Sequence, residues 1–206
     1  MEKLKKDFYL RPVLESVTDF LGKVLVHQTT QGRISGIVTD VEAYPAFVDK
    51  VHHGNKKTPR TEVMWRRGGY AYIYVIYGTW HQFAAVVNGE NIPDVVFIRG
   101  VLPLEGTEIM RSQWSKPRKD SQLANSPGKL CKSFLLSKKH YGVDLTGDEL
   151  FFEGWGIKIS EDQIKTAKRV GISSKYQGHD NPWRYFIQTS KVQLMEKSYG
   201  DHHRHS

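Results

Sequence analysis

Short apolar runs recur along the first half of this chain, and from Gly69 tyrosine and aliphatic residues alternate at every second position. That period marks strands with one covered face. Residues 23–28 and 34–44 read as two strands around the turn signal Thr29-Thr30-Gln31-Gly32, so a hairpin carries Glu42 near its outgoing end. The alternation from Gly69 puts Tyr70, Tyr72 and Tyr74 on one face and Ala71, Ile73 and Val75 on the other. It reaches Tyr77-Gly78-Thr79, a hairpin tip, and residues 83–88 and 95–102 supply two more strands, the second interrupted by Arg99. Ahead of the strands, Leu14, Val17, Phe20 and Leu21 recur at helical spacing and Gly22 is the stop, which predicts one amphipathic helix over 13–21. A polar loop over 49–61, a short helix over 103–111, a mobile basic connector over 114–126 and a helix starting at Ser126-Pro127-Gly128-Lys129-Leu130 follow. Short strands to about residue 193 close the chain.

Composition bounds this picture. With 206 residues, 39% of them hydrophobic, the chain suits one compact domain over 1–195, ending in a polar tail over 196–206 that is expected to be disordered. An excess of 30 Lys+Arg over 22 Asp+Glu attracts polyanions and points toward nucleic acid. Cys131 is the only cysteine, so no intramolecular disulfide forms; it reads as a buried apolar side chain in a reducing, intracellular compartment. Neither a signal peptide nor a membrane anchor is expected from the basic, non-apolar start Met1-Glu2-Lys3-Leu4-Lys5-Lys6.

Glu42 is the first candidate for chemistry. A randomly chosen glutamate sits in water or beside a lysine, but this one lies inside an apolar run where an unpaired charge is costly. Arg99 intrudes in the same way on a later strand, so a buried Glu42–Arg99 pair is expected, with the guanidinium keeping the carboxylate ionised. The tyrosines are ordinary strand residues taken singly; in a basic protein they also form stacking platforms for nucleobases. His52-His53 diverge on an extended chain and lack an HExxH or CxxC companion, so no metal is expected. Ser126-Pro127-Gly128-Lys129 lacks the first glycine of a phosphate loop and reads as a helix start able to hold one nucleic-acid phosphate.

The blocks Val41-Glu42-Ala43-Tyr44, His53, Thr58-Pro59-Arg60-Thr61-Glu62-Val63-Met64, Tyr72-Ile73-Tyr74-Val75-Ile76-Tyr77-Gly78, Ile98-Arg99, Pro103-Leu104-Glu105-Gly106, Pro127-Gly128-Lys129-Leu130, Arg169-Val170-Gly171-Ile172 and Pro182-Trp183-Arg184 occur in this order. The ordered set, over about residues 15–190, resembles the alkyladenine (3-methyladenine) DNA glycosylase family. The resemblance implies an α/β protein of the α+β type, one domain around a curved, mostly antiparallel sheet flanked by helices, without helix-hairpin-helix architecture. It implies a monofunctional enzyme of base-excision repair that flips an alkylated or deaminated purine, of the 3-methyladenine, 7-methylguanine and hypoxanthine class, from double-stranded DNA. Water then cleaves the N-glycosidic bond, with no cofactor, no metal, no lyase step and no need for more than a monomer.

By the same resemblance Glu42 is the general base and Arg99 helps hold the water. Tyr44, His53, Met64, Tyr74 and Ala84 form the base pocket, Tyr77 wedges into the duplex, and Thr58, Arg60 and Lys129 contact the DNA backbone. Ala84 departs from the family pattern, since many members carry there an asparagine whose amide crowds the 2-amino group of guanine. Two rival readings use the same residues: a damaged-DNA-binding module with a disabled site, and a hydrolase of free nucleosides. The first predicts binding without base release, and the second predicts turnover that needs neither Tyr77 nor a basic surface.

Overall fold

The computed structural model describes residues 1–188. Nine strands form one antiparallel sheet: β1 (Glu2–Lys3), β2 (Val24–Thr29), β3 (Gly32–Tyr44), β4 (Ala71–Ile76), β5 (Trp80–Val86), β6 (Val95–Glu105), β7 (Leu150–Gly154), β8 (Ile164–Ala167) and β9 (Arg184–Ile187). The order is β1-β7-β2-β3-β6-β5-β4, with β9 joining β3 and β8 joining β9. Three short helices accompany it: α1 (Val13–Ser16), α2 (Thr107–Ser112) and α3 (Pro127–Ser133). This is an α+β fold whose sheet does not close into a barrel, as the resemblance implied. The expected strand material beyond residue 188, the domain's limit at 195 and the tail lie outside the described residues.

β3 is the spine. Its 13 residues outlast β2, which pairs with Gly32 to Ile37, so the edge that β2 vacates is taken by β9 at Asp40, Val41 and Glu42. Its other edge is covered by β6 from Ser35 to Tyr44. Glu42 is therefore hydrogen-bonded strand on both sides, opposite Phe97 and Arg184.

Side-chain alternation then divides the sheet into two chemistries. One face of the inner strands (Val41, Ala43, Ala71, Ile73, Phe83, Ala85, Val96, Ile98) enters the main core with Tyr9, Phe20, Phe134 and Phe152. The other face carries a smaller cluster of Val63, Met64, Tyr72, Ala84, Val86, Val95 and Phe97, edged by Tyr44 and Tyr74. Glu42 shares this second face, because it stands one residue out of step with Val41 and Ala43. The registers Glu42↔Phe97, Phe97↔Ala84 and Ala84↔Tyr72 set four side chains in one row across four strands.

Four local expectations are corrected. Residues 13–21 do not form one helix: α1 stops at Ser16 and Val17–Phe20 continues as a tighter 3-10 turn. Val13, Val17 and Thr18 are β-branched and resist helix propagation, and the Ser16 hydroxyl donates to the Pro12 carbonyl at 3.1 Å. Leu14, read as a core position, is 45% exposed. At 103–111, β6 persists to Glu105 and only then turns at Gly106 into α2; a Cβ on Gly106 would lie 2.5 Å from the Arg33 carbonyl oxygen, so glycine is required at its φ of 69°.

The connector 114–126 is pinned rather than loose. Trp114 Nε1 donates to Ser133 Oγ at 3.0 Å, that hydroxyl donates to the Leu123 carbonyl at 2.7 Å, and Leu123 and Ala124 are buried. Its polar composition hid two anchors. At the chain's start, Glu2 and Lys3 add β1 to the edge of β7.

Candidate active site

Burial makes Glu42 unusual before any function is invoked. Its side chain is 0% exposed, and three donors converge on it: Arg99 Nη1 at 3.1 Å and the Val170 amide at 2.8 Å on Oε1, and the Tyr44 hydroxyl at 3.0 Å on Oε2. Tyr44 reaches it because residues two apart on a strand point the same way. The expected Glu42–Arg99 pair is present. Burial nevertheless raises the Glu42 pKa above the usual carboxylate range, outweighing the opposing Arg99 charge and the two hydrogen bonds. A carboxylate offers about four acceptor positions, and three donors leave one on Oε2 for a further proton.

Arg99 is itself held in a charged row on that face. Its Nε lies 3.7 Å from Asp40 Oδ2, and Arg184 grips the same Asp40 through two bonds of 3.0 and 2.7 Å. Asp40 stands two residues before Glu42, so strand alternation aligns both acids with both arginines. The register between β3 and β6 shifts on either side of Asp40, which brings Gly100 opposite Asp40. Asp40 and Arg184 were not singled out from sequence; Asp40 carried a signal in its i−2 spacing from Glu42, while Arg184 carried none beyond its motif.

A cavity of about 620 Å³ opens on this face of the sheet. Tyr44, His53, Arg60, Met64, Tyr74, Tyr77, Ala84 and Arg99 all line it, so eight of the predicted site residues come together. Glu42 lies beneath the lining, reached through its partners Tyr44, Arg99 and Val170, which do face the cavity. Flat walls come from the rings of Tyr44 and Tyr74, each packed against Phe97, and from His53, whose ring meets Tyr74 edge-on at 5.2 Å. Such faces attract a cationic ring. Partial burial, aided by the nearby Arg60 charge, lowers the His53 pKa to about 4, so the imidazole is neutral at physiological pH.

Three residues assigned to the DNA backbone behave differently from one another. Arg60 sits 5.2 Å over the Tyr74 ring and lines the cavity. Thr58 exchanges hydrogen bonds with Thr61 at the loop's base, and Lys129, in the first turn of α3, donates to Asn125 at 3.0 Å; both stand outside the cavity lining. Cys131 is buried and its thiol pKa is raised by that burial, matching the apolar role expected for it.

Tyr77 is the outlier on the surface. It is 91% exposed at the β4–β5 tip, with a left-handed φ of 49° that costs a non-glycine residue on the order of 1 kcal/mol. A strained, unburied ring at the cavity's rim is not held there by packing.

Sequence reading also passed over what braces the Glu42 partners. Arg169 is 3% exposed, forms a two-point pair with the buried Asp49 carboxylate, and lies 4.5 Å over the Tyr44 ring and 5.0 Å over Trp183. Its neighbour Val170 supplies the amide on Glu42. The Arg-Val-Gly-Ile block was visible as a motif, but the loop's return onto β3 required the fold.

A fully buried carboxylate beneath an aromatic-walled cavity, on a basic protein, fits the class of a nucleic-acid glycosylase. The family model described as Methylpurine-DNA glycosylase matches residues 7–191. A relative in Alkaliphilus oremlandii is 40% identical over 90% of this chain and 95% of its own length. Others in Clostridium acetobutylicum (37% identical over 95% of this chain and 99% of the relative) and Methanocella arvoryzae (38% over 98% and 100%) are similarly close. All three carry the name 3-methyladenine DNA glycosylase with a provisional qualifier. The chain belongs to the methylpurine-DNA glycosylase family, whose activity is that of a hydrolase of N-glycosyl bonds in DNA repair.

Proposed function

We propose that this protein is a monofunctional glycosylase that extrudes an alkylated or deaminated purine from duplex DNA and hydrolyses its N-glycosidic bond with water activated by Glu42. The observation that carries this reading is the fully buried Glu42 carboxylate, whose partners Tyr44, Arg99 and Val170 line a cavity walled by aromatic rings. Water donates a proton to Oε2 as its oxygen bonds to the anomeric carbon, and the glycosidic electron pair departs with the base. An alkylated purine already carries positive charge and leaves neutral without a separate acid, whereas a deaminated purine is neutral and takes a proton from solvent as it departs. Arg99 Nη1 and the Val170 amide keep Oε1 occupied, which leaves Oε2 as the reacting oxygen.

Extruding a nucleotide costs a few kcal/mol, and each stacked ring returns about 1–3 kcal/mol. Tyr44 and Tyr74 around the base, with Tyr77 in the vacated stack, cover that cost. Replacing Tyr77 by Ala is expected to slow base release from duplex about 10- to 100-fold, to spare a single-stranded substrate, and to leave the melting temperature unchanged because the ring is exposed. Equal losses on both substrates would remove the wedge.

The direct test incubates the protein with a duplex holding one 3-methyladenine-class lesion and measures both free base and strand breaks. Free base with an intact abasic strand supports the reading; binding without release supports the module instead. The row register places Ala84 between Tyr72 and Phe97, so its side chain limits the cavity. Ala84→Asn is expected to lower excision of 7-methylguanine relative to hypoxanthine several-fold, because a larger polar group there crowds a 2-amino substituent. An unchanged ratio of the two rates would sink that role.

A further inference from the structure

His27, His140 and Glu149 come from three separate segments, and none of them lines the Glu42 cavity. His27 lies on β2 and pairs in register with Leu150, the first residue of β7. Glu149 immediately precedes it, fixed beside β2 by the bond from the Gln28 amide to its carbonyl at 2.8 Å. His140 ends a 3-10 turn over Lys138–His140, just beyond α3. One ligand atom from each of the three lies within 4.8 Å of the others.

The two imidazoles are buried and meet edge-on, with ring centroids 4.8 Å apart. His27 Nδ1 is 2.6 Å from the Phe134 carbonyl oxygen. A carbonyl only accepts, so Nδ1 holds the proton and the lone pair sits on Nε2. His140 Nε2 is buried with no hydrogen-bond partner among the described residues, 3.6 Å from Glu149 Oε1, while the Glu149 side chain is 55% open to solvent. An imidazole locked by a backbone carbonyl, a second buried imidazole with an open Nε2 and a carboxylate at the water's edge are the donors that a borderline divalent cation selects.

We propose that His27, His140 and Glu149 bind one divalent ion of the zinc class, with water as the fourth ligand. His140 binds through Nε2 in the tautomer whose Nδ1–H donates a hydrogen bond to the Ser137 carbonyl at 3.3 Å, instead of the one whose Nδ1 accepts from the Ser137 amide at 3.0 Å. The edge of a zinc tetrahedron is about 3.3 Å, so the ligand atoms must draw together, and the exposed Glu149 carboxylate is the one free to move. The ion clasps the β2–β7 edge to the segment following α3. It has no part in the glycosidic step. The candidates weighed from sequence were adjacent histidines and cysteine pairs, whereas these three ligands are separated by more than a hundred residues of chain and by a strand start.

The test uses the full-length chain carrying His202→Ala, His203→Ala and His205→Ala, so that tail histidines do not compete. Zinc titration against a chelating dye is expected to give one ion per chain, and zinc at about a hundredfold above Kd to raise the melting temperature by roughly 5–10 °C. Adding Glu149→Ala or, separately, His27→Ala should weaken binding about a hundredfold and abolish the melting shift, with base release unchanged for Glu149→Ala. Glu149 is exposed, so that variant keeps the test decisive even if His27→Ala does not fold. Absence of stoichiometric zinc, or an affinity unmoved by Glu149→Ala, overturns the site.

Discussion

Glu42→Gln is expected to slow base release by about 10²–10⁴-fold while leaving affinity for lesion-bearing duplex within about twofold. The amide preserves the shape: its oxygen accepts from Arg99 and the Val170 amide as Oε1 does, and its nitrogen donates to the Tyr44 hydroxyl with the direction of that bond reversed. Only the capacity to take a proton from water is lost. Single-turnover release and gel-shift binding, measured on the same duplex, separate the two quantities. Retained release would return Glu42 to a structural acid.

The same substitution should also alter stability, in a direction that fixes the state of the acid. Burial raises the folded pKa of Glu42 above the unfolded value of about 4.3. The folded form therefore holds this proton more tightly than the unfolded chain, so the group's contribution is fully present below about pH 4 and is lost as pH rises through the folded pKa. At pH 8 the parent carries the cost of a buried charge that Gln does not. Glu42→Gln should thus melt above the parent at pH 8, and the gap should narrow toward pH 4; a gap independent of pH would place the cost elsewhere. Base release, which needs the ionised acid, should rise with pH along a limb lying above the ordinary carboxylate range. His53, with its pKa near 4, does not draw that limb at neutral pH.

Much of the site was legible because strand alternation is a strict rule. Glu42 and Tyr44 were placed on one face from spacing alone, and the Glu42–Arg99 pair followed from the cost of isolated charges in apolar runs. Tyr77 announced itself by standing beside Gly78 where a strand reverses. What stayed hidden depended on long-range closure: Arg184 reaches Asp40 only because β9 takes the edge that β2 leaves, and no local pattern marks where a partner strand ends. Helix limits failed for a different reason. Over 13–21 the apolar spacing fits a helix and a tighter turn almost equally, so β-branched residues and the Ser16 hydroxyl decided the outcome. Arg60 was assigned to the DNA backbone through the resemblance, and that its guanidinium covers Tyr74 and forms cavity wall needed the fold.

Asp49→Ala is expected to destabilise the fold by about 3–5 kcal/mol, roughly 10 °C in melting temperature, although Asp49 touches neither Glu42 nor, in the proposed reaction, the base. Asp49 and Arg169 are both buried, at 2% and 3% exposure, and among the described residues Arg169 has no other carboxylate at salt-bridge distance. Removing the acid strands a guanidinium between the Tyr44 and Trp183 rings. Because Val170 follows Arg169 directly, the amide on Glu42 loosens with it, and Tyr44 loses the cation that packs its ring. Base release should therefore fall further than the folded fraction does. Asp49→Ala combined with Arg169→Met replaces the stranded charge by an apolar chain and should recover much of the melting temperature, as paired replacement of buried ions often does. It should not recover the rate, because methionine cannot fix the Val170 amide against the acid. If the single variant melts within a degree or two of the parent, the buried pair is not what holds this loop over Glu42; if the double variant regains full activity, the packing of the site is independent of the charge beneath it.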